Sequence, residues 1–204
     1  MKEFPIIPVT QACLNKRSII YGVGTNDADY QVYIKSDVVK IKCPYYQRWI
    51  NMLKRCYSKV SLKERPTYIG CSVCGEWLLF SNFKSWMITQ DWKNKHLDKD
   101  IISKGNKVYS PEKCLFVSSE INSLVNDQPR RRGKYKLGVS YCEDRNKYQA
   151  GCNVNGKRVG LGRFDTEQEA HEVYMSFKTD LIRDVASEQS EPLKSALISF
   201  SESL

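Results

Sequence analysis

Residues 138–177, GVSYCEDRNKYQAGCNVNGKRVGLGRFDTEQEAHEVYMSF, admit few arrangements because two periodicities meet inside them. As far as Phe164, apolar and polar residues alternate in short runs broken at Asp144-Arg145-Asn146 and at Asn155-Gly156. Asn-Gly between alternating runs is a strong hairpin signal, so the runs predict three strands at 139–142, 148–154 and 158–164. Beyond Phe164 the period lengthens. Asp165 or Thr166 can cap a helix, and Ala170, Tyr174, Phe177 and Leu181 recur on one helical face. Such a helix covers one side of a three-stranded antiparallel sheet. The other side is expected to carry Arg145, Lys147, Lys157, Arg158 and Arg163 outward, with Tyr141 and Tyr148 among them. Two or three strands can enter the major groove of a duplex, and this expected surface has the composition to do so.

Charge supports the same expectation. Residues 130–163 hold ten Lys or Arg against two acids, Glu143 and Asp144, whereas residues 164–204 hold three bases against nine acids. Arg130, Arg131, Arg132, Lys134 and Lys136 extend the basic strip upstream of the strands. On this count nearly all of the net charge of +9 is expected to be local to the module. A concentrated basic strip suits a polyanion, because neutralising each phosphate releases counterions. A solvated basic surface or a membrane-facing patch is the alternative, but these bases fall on strands rather than on an amphipathic helix, which favours double-stranded DNA.

The pattern G-V plus a strand, an aromatic before Ala in the second strand, then G-K-R-V-x-L-G-x-F-D-T and E-A resembles the plant ethylene-response-factor (APETALA-type) DNA-binding domain, over roughly residues 132–181. Leu137 and Tyr148 stand where that domain places arginine and tryptophan, and the resemblance then implies mainly phosphate contacts.

Upstream, residues 45–57 place Tyr46, Trp49, Met52/Leu53 and Cys56 at helical intervals, and a second helix is expected from near Glu76 or Ser81 to about Met87, packing Trp77, Phe80, Phe83 and Trp86. In residues 1–42, Gly22-Val23-Gly24-Thr25-Asn26-Asp27 between β-like runs at 18–21 and 30–34 predicts a hairpin with no evident chemistry. Pro129 and three arginines make residues 128–133 the expected linker. The predicted organisation is α+β. It comprises an N-terminal β-hairpin region (1–42), an α/β region with the chemistry (43–127), the linker, the sheet-and-helix module (134–186) and a tail (187–204) expected as a docked helix or a frayed end.

Residues 96–122 contain L-D-K-D-I, G-N-K-x-Y-S-P and C-x-F-V followed by I-N, preceded by Y-x-x-W-x-x-M-x-x-R-C-Y and E-W-x-x-F-x-x-F-x-x-W. This block resembles the core of phage-type HNH (ββα-metal) homing endonucleases, in degenerate form. The resemblance implies that Asp98 falls on the metal-ligand position, Lys99 where the histidine base stands, Lys113 near the usual asparagine and Asn122 close to the final helix ligand, so two of the four positions depart. Asp98 and Asn122 would hold one Mg²⁺ or Mn²⁺ that stabilises charge on the phosphoryl and leaving oxygens. Lysine is a poor base near its reference pKa of ~10.4, so Lys99 and Lys113 are expected to grip phosphate. His96 offers another base, because residues i and i+2 of a strand share a face. The implied activity is a phage or mobile-element DNA endonuclease or nickase. The alternative is a DNA-binding protein that kept the scaffold, lost hydrolysis and acts by occupancy, as repressor or blocker.

With 41% hydrophobic and 27% charged residues the composition is that of an ordinary soluble protein. No apolar run approaches the ~20 residues of a membrane span, and the start lacks a signal-peptide core, so a cytoplasmic location is expected, in the bacterial host if the chain is phage-encoded. Eight cysteines are then expected as thiols or metal ligands. Cys71-Ser72-Val73-Cys74 has the spacing of half a zinc site that Cys43 and Cys56 could complete, although two core thiols are the commoner outcome.

Overall fold

The computed structural model describes residues 4–35, 40–126 and 134–204. The expected linker at 128–133, with Arg130, Arg131 and Arg132, lies outside the described residues. The chain divides into two compact units, the first comprising Met1–Asp100 with Gly105–Phe116 and the second Ile101–Lys104 with Val117–Leu204. The 1–42 region belongs to the first unit together with the residues that follow it, and the division crosses the expected 43–127 domain.

The first unit is built around aromatic side chains. Helix α1 (Gln11–Leu14) is followed by a two-stranded antiparallel hairpin, β1 (Tyr33–Lys35) with β2 (Lys40–Lys42), and then by α2 (Pro44–Tyr57) and α3 (Lys59–Glu64). Pro44 starts α2 without losing a bond, since its missing N–H falls in the first turn, where N–H groups have no intrahelical acceptor. Trp49, Met52, Leu53 and Cys56 recur on the buried face of α2, as their spacing predicts. A 3₁₀ turn over Gly75–Leu78 leads into α4 (Phe80–Ile88), where one continuous helix from Glu76 was one of the two expected starts. Trp49, Trp77, Phe80, Phe83 and Met87 are fully buried together, and the Trp49 indole N–H donates to the Trp77 carbonyl at 2.7 Å. Fully burying a side chain of this size contributes roughly 1.5–3 kcal/mol.

The expected hairpin around 22–27 is not formed as drawn. Ile20 and Gly24 bridge directly across a tight turn in which Tyr21 (φ 51°) and Gly22 (φ 79°) take left-handed conformations. Gly24 sits where a Cβ would come within 2.4 Å of Leu53 and 3.1 Å of the Trp49 ring, so core packing set this glycine as much as the turn did. The ladder falls later, at β1 and β2.

Short strands follow: β3 (Ser72–Val73) runs parallel to β5 (Val108–Tyr109), and β4 (His96–Asp98) pairs with β6 (Leu115–Val117), whose last residue begins the second unit's main segment. A helix, α5 (Ser119–Val125), follows β6, with Ser118 capping it. Three short strands, β4, β5 and β6, thus precede α5 in the chain.

The second unit contains the three-stranded antiparallel sheet β7 (Val139–Cys142), β8 (Lys147–Val154) and β9 (Lys157–Phe164), with α6 (Glu167–Ser187) packed on one side. Asn146 (φ 50°) closes the first turn, and Asn155 (φ 50°) with Gly156 (φ 77°) closes the second, the two left-handed residues that a type I′ hairpin requires. Thr166 caps α6 through a reciprocal box with Glu169. Ala170, Tyr174, Ile182 and Ala186 face inward together with Lys178, while Phe177 and Leu181 lie at the margin of the buried stripe. A second helix, α7 (Leu193–Glu202), buries Ala196 and Leu197, which settles the tail as a docked helix packed with α6.

Candidate nucleic-acid interface and the Asp98 site

Register decides what the sheet offers. Ser140, Gln149 and Arg163 form one row, Asn153 and Arg158 another, and Cys142 and Lys147 a third. Alternation puts all of them opposite Ala150 and Cys152, the buried positions that pack with Ala170 and Tyr174 of α6. Arg158 and Arg163 are five residues apart and would point to opposite sides of a regular strand. A register shift at Ala150/Gly151 inserts one extra residue in β9 and brings both arginines to the same face. Gly162 (φ 132°) provides the backbone conformation, and Leu161 packs against the helix-side cluster. Arg158 lies flat over Gly151, where a Cβ would meet its guanidinium at 3.0 Å.

The tyrosines correct the expected surface. Tyr141, Tyr148 and Phe164 share a row on the helix side, two positions from Ala150, and Tyr148 and Phe164 pack against the buried cluster. Tyr141 and Tyr148 meet at 5.0 Å between ring centroids, and Tyr135 touches both, at 6.0 and 5.7 Å. They close one end of the core rather than project with the arginines. Lys136 is likewise tied down, its backbone N–H donating to Glu167 and its amine to Gln168 at the start of α6. Lys147 pairs with Asp165. Arg145 is exposed in the first turn, Lys157 at the second, and Lys134 is exposed beside the Tyr135 ring.

In the first unit, β4 exposes His96, buries Leu97 and half-buries Asp98, so the histidine and the aspartate share a face as expected. One Asp98 carboxylate oxygen accepts the Asp100 N–H at 2.8 Å. Lys99 belongs with Leu97 on the inner side. Its amine donates to the Asn106 carbonyl at 2.5 Å and to Asp100 at 2.7 Å, and the Asn106 amide donates back to the Lys99 carbonyl at 2.9 Å. The Lys99 side chain is only 6% exposed. The amine expected to grip phosphate is instead a clamp across the 99–106 loop. Lys113 is exposed in the turn before β6. Asn122 lies on α5, in the second unit, and its side-chain oxygen accepts from Asn126 at 2.9 Å.

Arg55 is a residue that sequence reasoning missed here. It reaches from α2 to the Leu97 carbonyl at 3.5 Å. Burial works against its charge, but Tyr109, Tyr68 and Asp98 more than restore it, leaving its pKa above the ordinary arginine value. The signal available was its place in the helix, one residue before buried Cys56 and therefore beside the core stripe.

The cysteines do not gather into a metal centre. Cys43 shares a hydrogen bond with the Tyr30 hydroxyl, while Cys56 lies near Cys71 and its thiol is pushed up to about 12 by burial. Burial also pushes the Cys114 thiol up to about 12. Among the described residues no three His, Cys, Asp or Glu side chains stand close enough to share an ion. Among the described helices none is long and apolar enough to cross a membrane. Comparison of the chain with family models, curated proteins and solved structures gives no match.

Proposed function

We propose that this chain is a duplex-DNA-binding protein that lies on its target through the free face of the β7–β8–β9 sheet. The observation that carries the reading is the bulged register that aligns Arg158 and Arg163 with Lys147, Gln149, Ser140 and Asn153 on the side that α6 leaves uncovered. Cations on such a face neutralise phosphates, and the amide and hydroxyl side chains between them can add hydrogen bonds to backbone or base edges. The test is a binding titration of a fluorescent duplex over a salt series. Arg158→Gln with Arg163→Gln is expected to flatten the slope of log K against log salt by about two, and an unchanged slope sinks the reading.

A second reading, a phage-type HNH endonuclease or nickase, is favoured by the shared face of His96 and Asp98 beside the Arg55 guanidinium. An aspartate oxygen suits Mg²⁺ or Mn²⁺, since Mg²⁺ binds through one or two carboxylates and keeps several waters, and such an ion would stabilise the departing oxygen. In this reading His96 would accept a proton from water, and Arg55 would hold negative charge near Asp98. In this reading Lys99 shapes the loop instead of touching substrate. Supercoiled plasmid with Mg²⁺ or Mn²⁺ is expected to be nicked, with Asp98→Ala abolishing it. A salt-sensitive gel shift without any nick leaves occupancy as the function.

A further inference from the structure

The hairpin β1–β2 has a face that the sheet-based reading does not use. Its register pairs Tyr33 with Lys42, Ile34 with Ile41 and Lys35 with Lys40. Tyr33, Lys35, Lys40 and Lys42 therefore project from one side and the two isoleucines from the other. All three lysines are exposed, Tyr33 is 42% exposed, and none of the ion pairs among the described residues involves these lysines. Like charges directly opposite each other destabilise a ladder, so Lys35 facing Lys40 is a cost within the free protein that a bound anion would relieve. The surrounding unit carries the same sign. Residues 1–100 and 105–116 hold eighteen bases against ten acids, whereas the second unit holds fourteen against thirteen.

We infer that this face is a second polyanion contact, whose occupant is the sugar-phosphate backbone of double-stranded DNA. Three cations along a two-stranded ribbon follow a line of phosphates, and the flat Tyr33 ring among them packs on sugar edges. A lipid surface fits less well, because the apolar residues of the ribbon, Ile34 and Ile41, lie on the face opposite the lysines. The inference rests on the reading of the chain as a DNA binder, but uses residues of the other unit.

The experiment compares the full chain, Lys35→Gln/Lys40→Gln/Lys42→Gln, the corresponding triple Lys→Arg variant, and Arg158→Gln/Arg163→Gln, each titrated with one duplex over a salt series. The triple glutamine variant is expected to lose roughly tenfold or more in affinity and to flatten the salt slope by about three, with the arginine variant retaining both. Equal thermal melts of the exposed-site variants confirm that folding is intact. If the glutamine variant binds as the parent does while the Arg158/Arg163 variant is weakened, the ribbon contact is refuted and the sheet interface stands. If the parent itself fails to bind duplex, both fall. Loss of binding to phosphatidylserine vesicles with unchanged DNA affinity also overturns the inference.

Discussion

Lys99 illustrates how a single side chain can be misread from its neighbours in a motif. Its place after Asp98 invites a catalytic role, yet the alternation that puts His96 and Asp98 together puts Lys99 with buried Leu97. That much was legible from period alone. The acceptor was not, because Asn106 is seven residues away across a loop. Removing the amine leaves the buried Asn106 carbonyl without its donor, so Lys99→Met is expected to cost about 1–3 kcal/mol in urea unfolding. A nuclease role for the amine would instead appear as lost nicking at unchanged stability. Asp98 and His96 were recognisable as sharing a strand face, whereas Arg55 was hidden because its partners come from three other parts of the chain.

Among the elements, those specified by local chemistry were readable and those specified by distant packing were not. The strand at 139–142, the Asn155-Gly156 turn and the Thr166 cap follow from residues within a few positions of one another. The N-terminal hairpin did not, because glycines at 22 and 24 marked a turn closed against the core, while the paired segments flank residues with no strong turn signal. The β9 bulge also escaped. A one-residue shift exchanges the two faces of a strand, and nothing in Gly160-Leu161-Gly162 reveals which side of it is displaced. A β-branched residue cannot take φ 132° without strain. Gly162→Val is therefore expected to lower duplex affinity, by misdirecting Arg158 or Arg163, and to cost on the order of 1–3 kcal/mol of stability. The binding titration and a chemical melt on the same preparation measure the two effects.

Across the whole molecule, the expectation that most positive charge sits in the C-terminal module needs correction. The acids of α6 and the residues after it offset the basic strip, and the first unit carries most of the surplus. The counts over 130–163 and 164–204 together come to thirteen bases against eleven acids, so the larger surplus upstream was legible in the sequence. The buried thiols give the molecule a pH dependence. Cys56 and Cys114 ionise in the unfolded chain near 9 but are held up to about 12 when folded. Their contribution is complete below pH 9 and is lost as pH rises toward 12, so urea midpoints are expected to fall between pH 8 and pH 10.5. At pH 8 a thiol reagent is expected to modify exposed Cys13 rapidly and Cys43, Cys56, Cys71, Cys114 and Cys152 only on unfolding.

The polypeptide enters its second compact unit at Ile101–Lys104, returns to the first, and re-enters at Val117. Ile101 is buried, and Lys104 donates to the Ser203 carbonyl at 3.2 Å. A gene cut at the arginine-rich stretch would consequently separate neither half cleanly. The fragment from residue 134 onward would lack the short loop that docks beside its C-terminal helix, and the remainder would keep an orphaned apolar turn. Splicing this module onto another protein as a simple cassette is thus disfavoured by the path of the backbone itself.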